Sequence, residues 1–419
     1  MTEEKEKQVI DVMNPVCCGL DVHKAEIAAC VAVTETDGKV SYFIRKFPAT
    51  LKYLVKMRDW LKEFDCPTVA MESTGVFCKP VLNVLEKRME VILVNAKHVK
   101  NVPGRKTDIS DCKWLAELQR FGLLKGSFIP EERVRQWRDL VTLRKNFLES
   151  ANVHKNRVHK LFETANIKLG LAASDIFGKT GRGIIDLLLD PEAQITMEAV
   201  EACAKGSLKK RKKVEKLHES IQGFFRDHHR FQLRMLIDTI DDLESKAAEI
   251  TLRLEEEMKP FEEIIARLDA IPGVDRFAAQ SILGHVGHTL DTFARVENFV
   301  SWAGLCPGNN ESAGKRKSGK SPVKKHPFKT LLVECAWAAK NKKGSFYQAK
   351  FHKLKHRIGP KKAAVAIAHK IGMAIFFIIK HGAEYKELGA DYLDFKSNAK
   401  RIESLKKRAM DLGFKIVEA

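Results

Sequence analysis

Four carboxylates early in the chain stand where acids do chemistry. Asp21 interrupts an apolar run in Gly19-Leu20-Asp21, Glu72 closes the run TVAME, and Asp108 and Asp111 are three residues apart in KTDISD. An acid inside a buried strand costs free energy unless something compensates it. Carboxylates delivered from three separate segments make a hard-oxygen donor set suited to Mg2+ or Mn2+. Two such ions activate a nucleophile and stabilise the leaving oxygen of a phosphodiester. The same residue types also have a plainer use. Asp108 and Asp111 suit a helix start, where the dipole favours acids, and Glu72 suits a strand end facing water.

The elements that must position these acids follow from periodicity. VCCGLDVHKAEIAACVAV is a strand-like stretch broken at Gly19 and Asp21, and VSYFIRKF alternates as a strand does. LKYLVKMRDWLKEF repeats apolar residues at helical spacing. TVAMES is a short strand, PVLNVLEKRM a helix with Pro80 in its first turn, and VILVNA a buried strand. This order predicts a mixed sheet covered by helices. From about Ser110 the pattern turns helical. TDISDCKWLAELQRFGLL opens on capping residues, and residues 133–167 form one or two long helices.

Residues 171–230 are less regular and carry the basic cluster KKRKK at 209–213. Leu236, Ile240, Leu243, Ala247, Ile250 and Leu254 then repeat at alternating spacings of four and three. Such a seam serves either one helix of a local bundle or pairing with a second chain. LDAIPGVDRFAAQSILGHVG predicts helix, tight Pro-Gly turn, helix, a hairpin that either packs or offers backbone N–H groups to a phosphate. Residues 304–325 read as a polar, basic loop, TLLVECAWAAKN and AAVAIAHKIGMAIFFIIKHG as helices, and the last thirty or so residues as a charged tail.

Charge narrows the class of partner. The net charge is +19, and between Ser312 and Lys380 eighteen Lys and Arg face one acid, Glu334. A charge this one-sided repels itself unless a polyanion neutralises it, and nucleic acid does so through phosphate contacts. Apolar residues make up 44%, which places the chain among globular proteins. The nine cysteines form no CxxC pair, so neither a zinc ribbon nor a thioredoxin-type site is expected, and free thiols in a reducing cytosol are. The N-terminus has no apolar signal region, and the run Ile371–Ile379 between Lys370 and Lys380 is short for a membrane span. We therefore expect a cytoplasmic, nucleoid-associated protein with a buried helix at that run.

The motifs GLDVHK, MESTG, VNAKHVKN and KTDISDCKWLAEL stand in an order that resembles one family. It comprises the DEDD transposases of the IS110 insertion sequences, with Piv-type DNA invertases and bridge-RNA-guided recombinases among them. LDAIPGVDRFAAQSILGHVG and FVSWAGLCPGNNESAGKRKSGKS resemble the family's C-terminal transposase domain, and the likeness runs from about residue 16 to about 385. The resemblance implies that Asp21, Glu72, Asp108 and Asp111 bind Mg2+ (or Mn2+). It also implies a serine nucleophile just after Gly304-Leu305-Cys306-Pro307, which falls on Ser312. Ser318 and Ser321 in the same loop carry the same hydroxyl, and motif position favours Ser312.

The architecture implied is an α/β RuvC-like (RNase H-like) catalytic domain over residues 1–125. A helical and coiled-coil region for RNA binding and oligomerisation follows over 126–262. A mainly α-helical C-terminal transposase domain with the serine nucleophile covers 263–390, and a charged tail 391–419. The implied activity is DNA cutting and rejoining through a covalent phosphoserine–DNA intermediate, guided by a bridge RNA. The alternative is a RuvC-like nuclease that uses water on branched DNA; a non-enzymatic nucleic-acid binder would not need all four acids. Expected partners are double-stranded DNA, a structured guide RNA and further copies of the chain as dimer or tetramer, with no membrane. Lys315, Arg316, Lys317, Lys320, Lys324, Lys325, Lys209, Lys210 and Arg211 are the nucleic-acid contacts expected, together with the basic helices near 133–160.

Overall fold

In the computed structural model, residues 11–73, 75–95, 111–308, 310–312, 315–318, 326–411 and 413 are described. They fall into two compact units, residues 1–132 and 133–419. The first unit is a five-stranded sheet in the order β3-β2-β1-β4-β5. The strands are β1 (Val16–Val22), β2 (Glu26–Thr34), β3 (Val40–Pro48), β4 (Thr68–Glu72) and β5 (Glu90–Val94). Helices α1 (Leu51–Glu63), α2 (Cys78–Leu85) and α3 (Asp111–Arg120) cover it. The stretch read as one broken strand is a hairpin, β1 antiparallel to β2, closed by the His23 N–H donating to the Glu26 carbonyl. β1 runs parallel to β4, and β4 parallel to β5.

Both faces of the sheet are covered, which explains apolar runs without alternation. Cys18, Leu20 and Val22 of β1 pack with Leu54, Met57 and Leu61 of α1 and Val81, Leu82 and Leu85 of α2. On the opposite face Cys17 of β1 and Cys30 of β2 meet Cys112 and Ala116 of α3, and Val94 of β5 meets Leu115 and Leu118. The buried Gln119 amide of α3 donates to the Thr68 hydroxyl of β4 at 2.8 Å, so a polar pair is satisfied inside this layer.

The second unit is helical apart from one hairpin among its described residues. A single 33-residue helix, α4 (Glu132–Thr164), replaces the one or two expected. Short helices α5 (Leu169–Ala172), α6 (Lys179–Leu189), α7 (Met197–Cys203) and α8 (Arg211–Ser220) follow, then the 32-residue α9 (Asp227–Met258). Ile184, Ile185 and Leu188 of α6 share a core with Val158 and Leu161 of α4 and Leu233, Ile237 and Ile240 of α9. The apolar seam of α9 is covered by the chain itself: Ile240, Ala247, Ile250 and Leu254 are buried. Helix α4 runs alongside it in the opposite direction, tied by Trp137 Nε1–H to Glu257 at 3.1 Å, Arg144 Nε–H to the Thr251 hydroxyl at 2.7 Å and Lys155 to Glu244 at 2.6 Å. The seam thus belongs to an intrachain helix pair.

The C-terminal part contains α10 (Glu262–Asp269), α11 (Arg276–Val286), α12 (Val296–Trp302), β6 (Asn310–Ser312), β7 (Lys315–Ser318), α13 (Pro327–Ala339), α14 (Phe346–Ile358), α15 (Pro360–His381) and α16 (Tyr392–Asp411). The Pro-Gly turn between α10 and α11 is a packing turn. Gly273 has φ +85°, and a Cβ there would lie 2.3 Å from the Cys335 carbonyl oxygen of α13. Asp275 caps α11, accepting from the Ala278 N–H at 2.7 Å. His285 of α11 is buried, and burial, with Arg138, His326 and Lys145 nearby, pushes its pKa down to about 3. The run Ile371–Ile379 lies within α15, whose 22 residues are long and apolar enough to cross a bilayer. Ile367, Ile371, Ile375 and Phe376 are nevertheless buried, with α13 and α14 packed along the helix, as a core helix requires. The segment from 391, read as a charged tail, forms α16, because its Leu, Lys, Arg, Glu and Met residues favour helix.

Candidate active site

Two of the expected acids, Asp21 and Glu72, stand at the same end of the sheet. The parallel register pairs Cys18 with Val69, Gly19 with Ala70 and Leu20 with Met71, so the next step sets Asp21 beside Glu72. Adjacent strands lie about 4.8 Å apart, and directly opposed residues share a face. The face is fixed by their neighbours: Cys17 on β1 and Thr68 on β4, of the same parity, both contact α3. Asp21 and Glu72 therefore lie on the α3 face, at the carboxyl ends of two parallel strands. Asp111 is the first residue of α3 and exposed, where the helix dipole suits an acid.

Gly19 is what lets α3 come so close. A Cβ at Gly19 would lie 2.1 Å from the Cys112 carbonyl oxygen, 2.5 Å from the Ala116 nitrogen and 2.8 Å from the Leu115 Cβ. The missing side chain seats the first turn of α3 on β1, two residues before Asp21 on the same face. Two strands thus bring Asp21 and Glu72 to one end of the sheet, and the helix seated on β1 starts with Asp111. Among the described residues no three His, Cys, Asp or Glu side chains are grouped tightly enough to hold an ion, and Asp108 lies outside the described residues.

The donors this face offers are carboxylate oxygens rather than thiolates. The thiols on this face are poor ligands: burial pushes Cys17 up to about 12, and Cys30 is raised by its contact with Cys112 and by burial. Protonated thiols leave carboxylate oxygens as the charged donors, the set that Mg2+ or Mn2+ prefers. Two basic residues, an imidazole and an ammonium, flank the row, and sequence reading gave neither a role. His23 Nε2 stands 3.2 Å from Asp21 Oδ2. Lys46 of β3 is opposite Ala28, which is opposite Asp21, so it shares their face; its ammonium is held by Glu26 at 2.8 Å. His23 was within view in GLDVHK, two residues from the acid; Lys46 becomes visible only with the strand register.

The serine and the basic residues lie in the second unit. The segment read as a loop contains a two-stranded hairpin, with Ser312 opposite Lys315, Glu311 opposite Arg316 and Asn310 opposite Ser318. Ser312 ends β6 at the hairpin tip, and Lys315, Arg316 and Lys317 lie on β7. Lys320, Ser321, Lys324 and Lys325 fall outside the described residues. Before the hairpin, Gly304 has φ +69° and Leu305 is buried, which anchors its entry strand to the helical core. Lys209, Lys210 and Arg211 are exposed at the start of α8, and Arg211 is 3.4 Å from Glu215.

Comparison with known proteins places both halves of the chain in one group. Residues 18–167 match the family model of the DEDD transposases of IS110 elements, described as transposase. Residues 265–352 match the model described as transposase of the IS116/IS110/IS902 family. A protein of Sinorhizobium fredii (strain NGR234), named as a transposase, y4qE, is 25% identical over 329 residues. That alignment covers 76% of this chain and 70% of the relative.

Proposed function

The chain belongs to the IS110 family of transposases, and from that membership we propose that it cuts and rejoins DNA at the acid edge of its first unit, with Ser312 as nucleophile. The observation that carries this reading is the placement of Asp21 beside Glu72 at two parallel strand ends, with Asp111 opening the helix that Gly19 seats against β1. The 3-2-1-4-5 strand order with β2 antiparallel supports a RuvC-like reading of the sheet. Asp21, Glu72 and Asp111, with Asp108, would hold Mg2+. When bound, the ion supplies Lewis-acid stabilisation of charge on the phosphate oxygens.

The protein's own groups account for the rest. A serine hydroxyl is a weak nucleophile until its proton is removed. The Ser312 oxygen forms a bond to phosphorus, one strand oxygen leaves with a proton, and a phosphoserine ester remains. Rejoining reverses the exchange, with a strand hydroxyl displacing the serine, so the bond energy is conserved and no ATP is required. Lys315, Arg316 and Lys317 beside the serine neutralise DNA phosphates, as do Lys320, Lys324 and Lys325 further along the chain. A structured guide RNA would bring sequence choice through base pairing, with Lys209, Lys210 and Arg211 among its contacts.

The test uses DNA carrying the ends of the element. Ser312→Ala should remove the covalent protein–DNA adduct while DNA binding stays intact. Asp21→Ala or Glu72→Ala should remove Mg2+-dependent cutting. Full-rate cutting by Ser312→Ala would transfer the attack to water, and undiminished cutting by Asp21→Ala would remove the acids from the site.

A further inference from the structure

We propose that the groove between the C-terminal half of α4 and the N-terminal half of α9 binds an unpaired nucleotide of a single-stranded nucleic acid. The proposal rests on the nucleic-acid reading above and adds a site that the acids and serine do not use. The α9 seam closes from Ile240 onward, but at Leu236 the two helices leave a groove of about 460 Å3. That volume lies in the ~300–1,000 Å3 range of clefts that take small ligands. Its apolar lining is Leu161, Phe231, Met235 and Leu236, and Arg157 and Lys160 stand beside them.

Phe231 is 65% exposed and Met235 48% exposed, a large apolar outlay for a surface unless something stacks on it. No acid lines the groove, and among the described residues Arg157 and Lys160 have no carboxylate partner. The neighbouring Glu163 is occupied by Lys168, and Asp227 lies 3.6 Å from Arg230. An exposed aromatic ring with unneutralised bases beside it is the chemistry of single-strand recognition: a base stacks while its phosphates meet the cations. A second copy of the chain seated here would have to bring acidic side chains against Arg157 and Lys160.

The surroundings extend the same surface. Gly223 lies so close to the end of α4 that a Cβ would be 2.3 Å from the Ala165 carbonyl oxygen. The adjoining Phe224 N–H donates to that carbonyl, one residue beyond Thr164, at 2.7 Å, and Phe224 is 69% exposed. Helix α8 ends at the same place, where the Ser220 carbonyl accepts from the Lys168 N–H at 2.6 Å. Its other end, about 15 Å away at 1.5 Å per residue, begins the exposed cluster Lys209–Lys213. The cluster and the groove thus mark two ends of a path that a few nucleotides would span.

The experiment titrates the full chain with labelled oligothymidine, oligouridine and a DNA duplex of equal length, in EDTA, so that neither metal nor cutting contributes. Phe231→Ala should weaken single-strand binding about ten-fold and leave the duplex unchanged, Phe231→Tyr should restore it, and Phe231→Leu should not. Arg157→Ala with Lys160→Ala should lower the salt slope for single strands by about 1.4. Tighter binding of oligouridine identifies an RNA as occupant, and tighter binding of oligothymidine a displaced DNA strand. Equal losses on duplex, unchanged affinity in Phe231→Ala, or rescue by Phe231→Leu would overturn the proposal. A drop in sedimenting mass without a change in binding would assign the groove to a second copy instead. These outcomes hold whether or not Ser312 proves to be the nucleophile.

Discussion

Replacing Gly19 by alanine adds one carbon at the point where α3 rests on β1. That carbon would stand 2.1 Å from the Cys112 carbonyl oxygen, whereas ordinary contact begins at 3.4 Å, so α3 must retreat by about 1.3 Å at its first turn. The clash is with backbone, and no rotamer change relieves it. Overpacking of this kind costs about 1–3 kcal/mol or more. Asp111, the residue before Cys112, moves with the helix, and a shift of about 1 Å in a catalytic group costs on the order of 100-fold in rate. The assay is Mg2+-dependent cutting of a supercoiled plasmid carrying the element's ends, run beside a denaturant titration. Cutting should fall about 100-fold in a protein that still unfolds cooperatively. Gly170→Ala is the control, since nothing lies within 4 Å of its added carbon; it should be neutral or slightly stabilising. Gly19→Ala with wild-type cutting and an unmoved unfolding midpoint would refute the close seating of α3 and the role given to it.

Other consequences are equally open to measurement. Gly273→Ala must accommodate a carbon 2.3 Å from the Cys335 oxygen at positive φ, and should cost at least about 2 kcal/mol of stability by denaturant titration. His285 is held neutral in the fold with a pKa of about 3, so the unfolded chain takes up a proton that the folded chain refuses as pH falls below about 6.5. Its contribution is therefore complete above that value and declines below it, by about 2 kcal/mol between pH 6.5 and 5; His285→Asn should flatten the slope in unfolding curves across that window. Reversing Lys315, Arg316 and Lys317 to Glu should weaken DNA binding and lower its salt slope by up to about 0.9 for each phosphate no longer neutralised, read by titration at several salt concentrations.

What the sequence disclosed follows its physics. The strands around Asp21 and Glu72 were legible because sheets covered on both faces need long apolar runs. The β1–β2 hairpin was not, because its turn, His23-Lys24-Ala25, has none of the Gly, Asn or Asp that mark tight turns. The hairpin holding Ser312 was hidden for a related reason: β7 is Lys-Arg-Lys-Ser, with no apolar alternation to announce a strand. The α9 seam was visible as a period, but a period does not say which chain covers it, and α4 does so from about a hundred residues away. Gly19 showed as a break in an apolar run; that the break admits α3 depends on residues more than ninety positions downstream. The two acids on strands were placed by local pattern, whereas their juxtaposition depends on a register that local pattern does not contain.

The proposed chemistry is decided by where DNA becomes attached. The wild-type chain should be incubated with DNA bearing the element's ends and Mg2+, digested, and the DNA-bearing peptide identified by mass spectrometry. The peptide containing Ser312 should carry the phosphoester, and the adduct should vanish without Mg2+ and in Asp21→Asn. Attachment at another residue, or full cutting with no attached DNA, would contradict it.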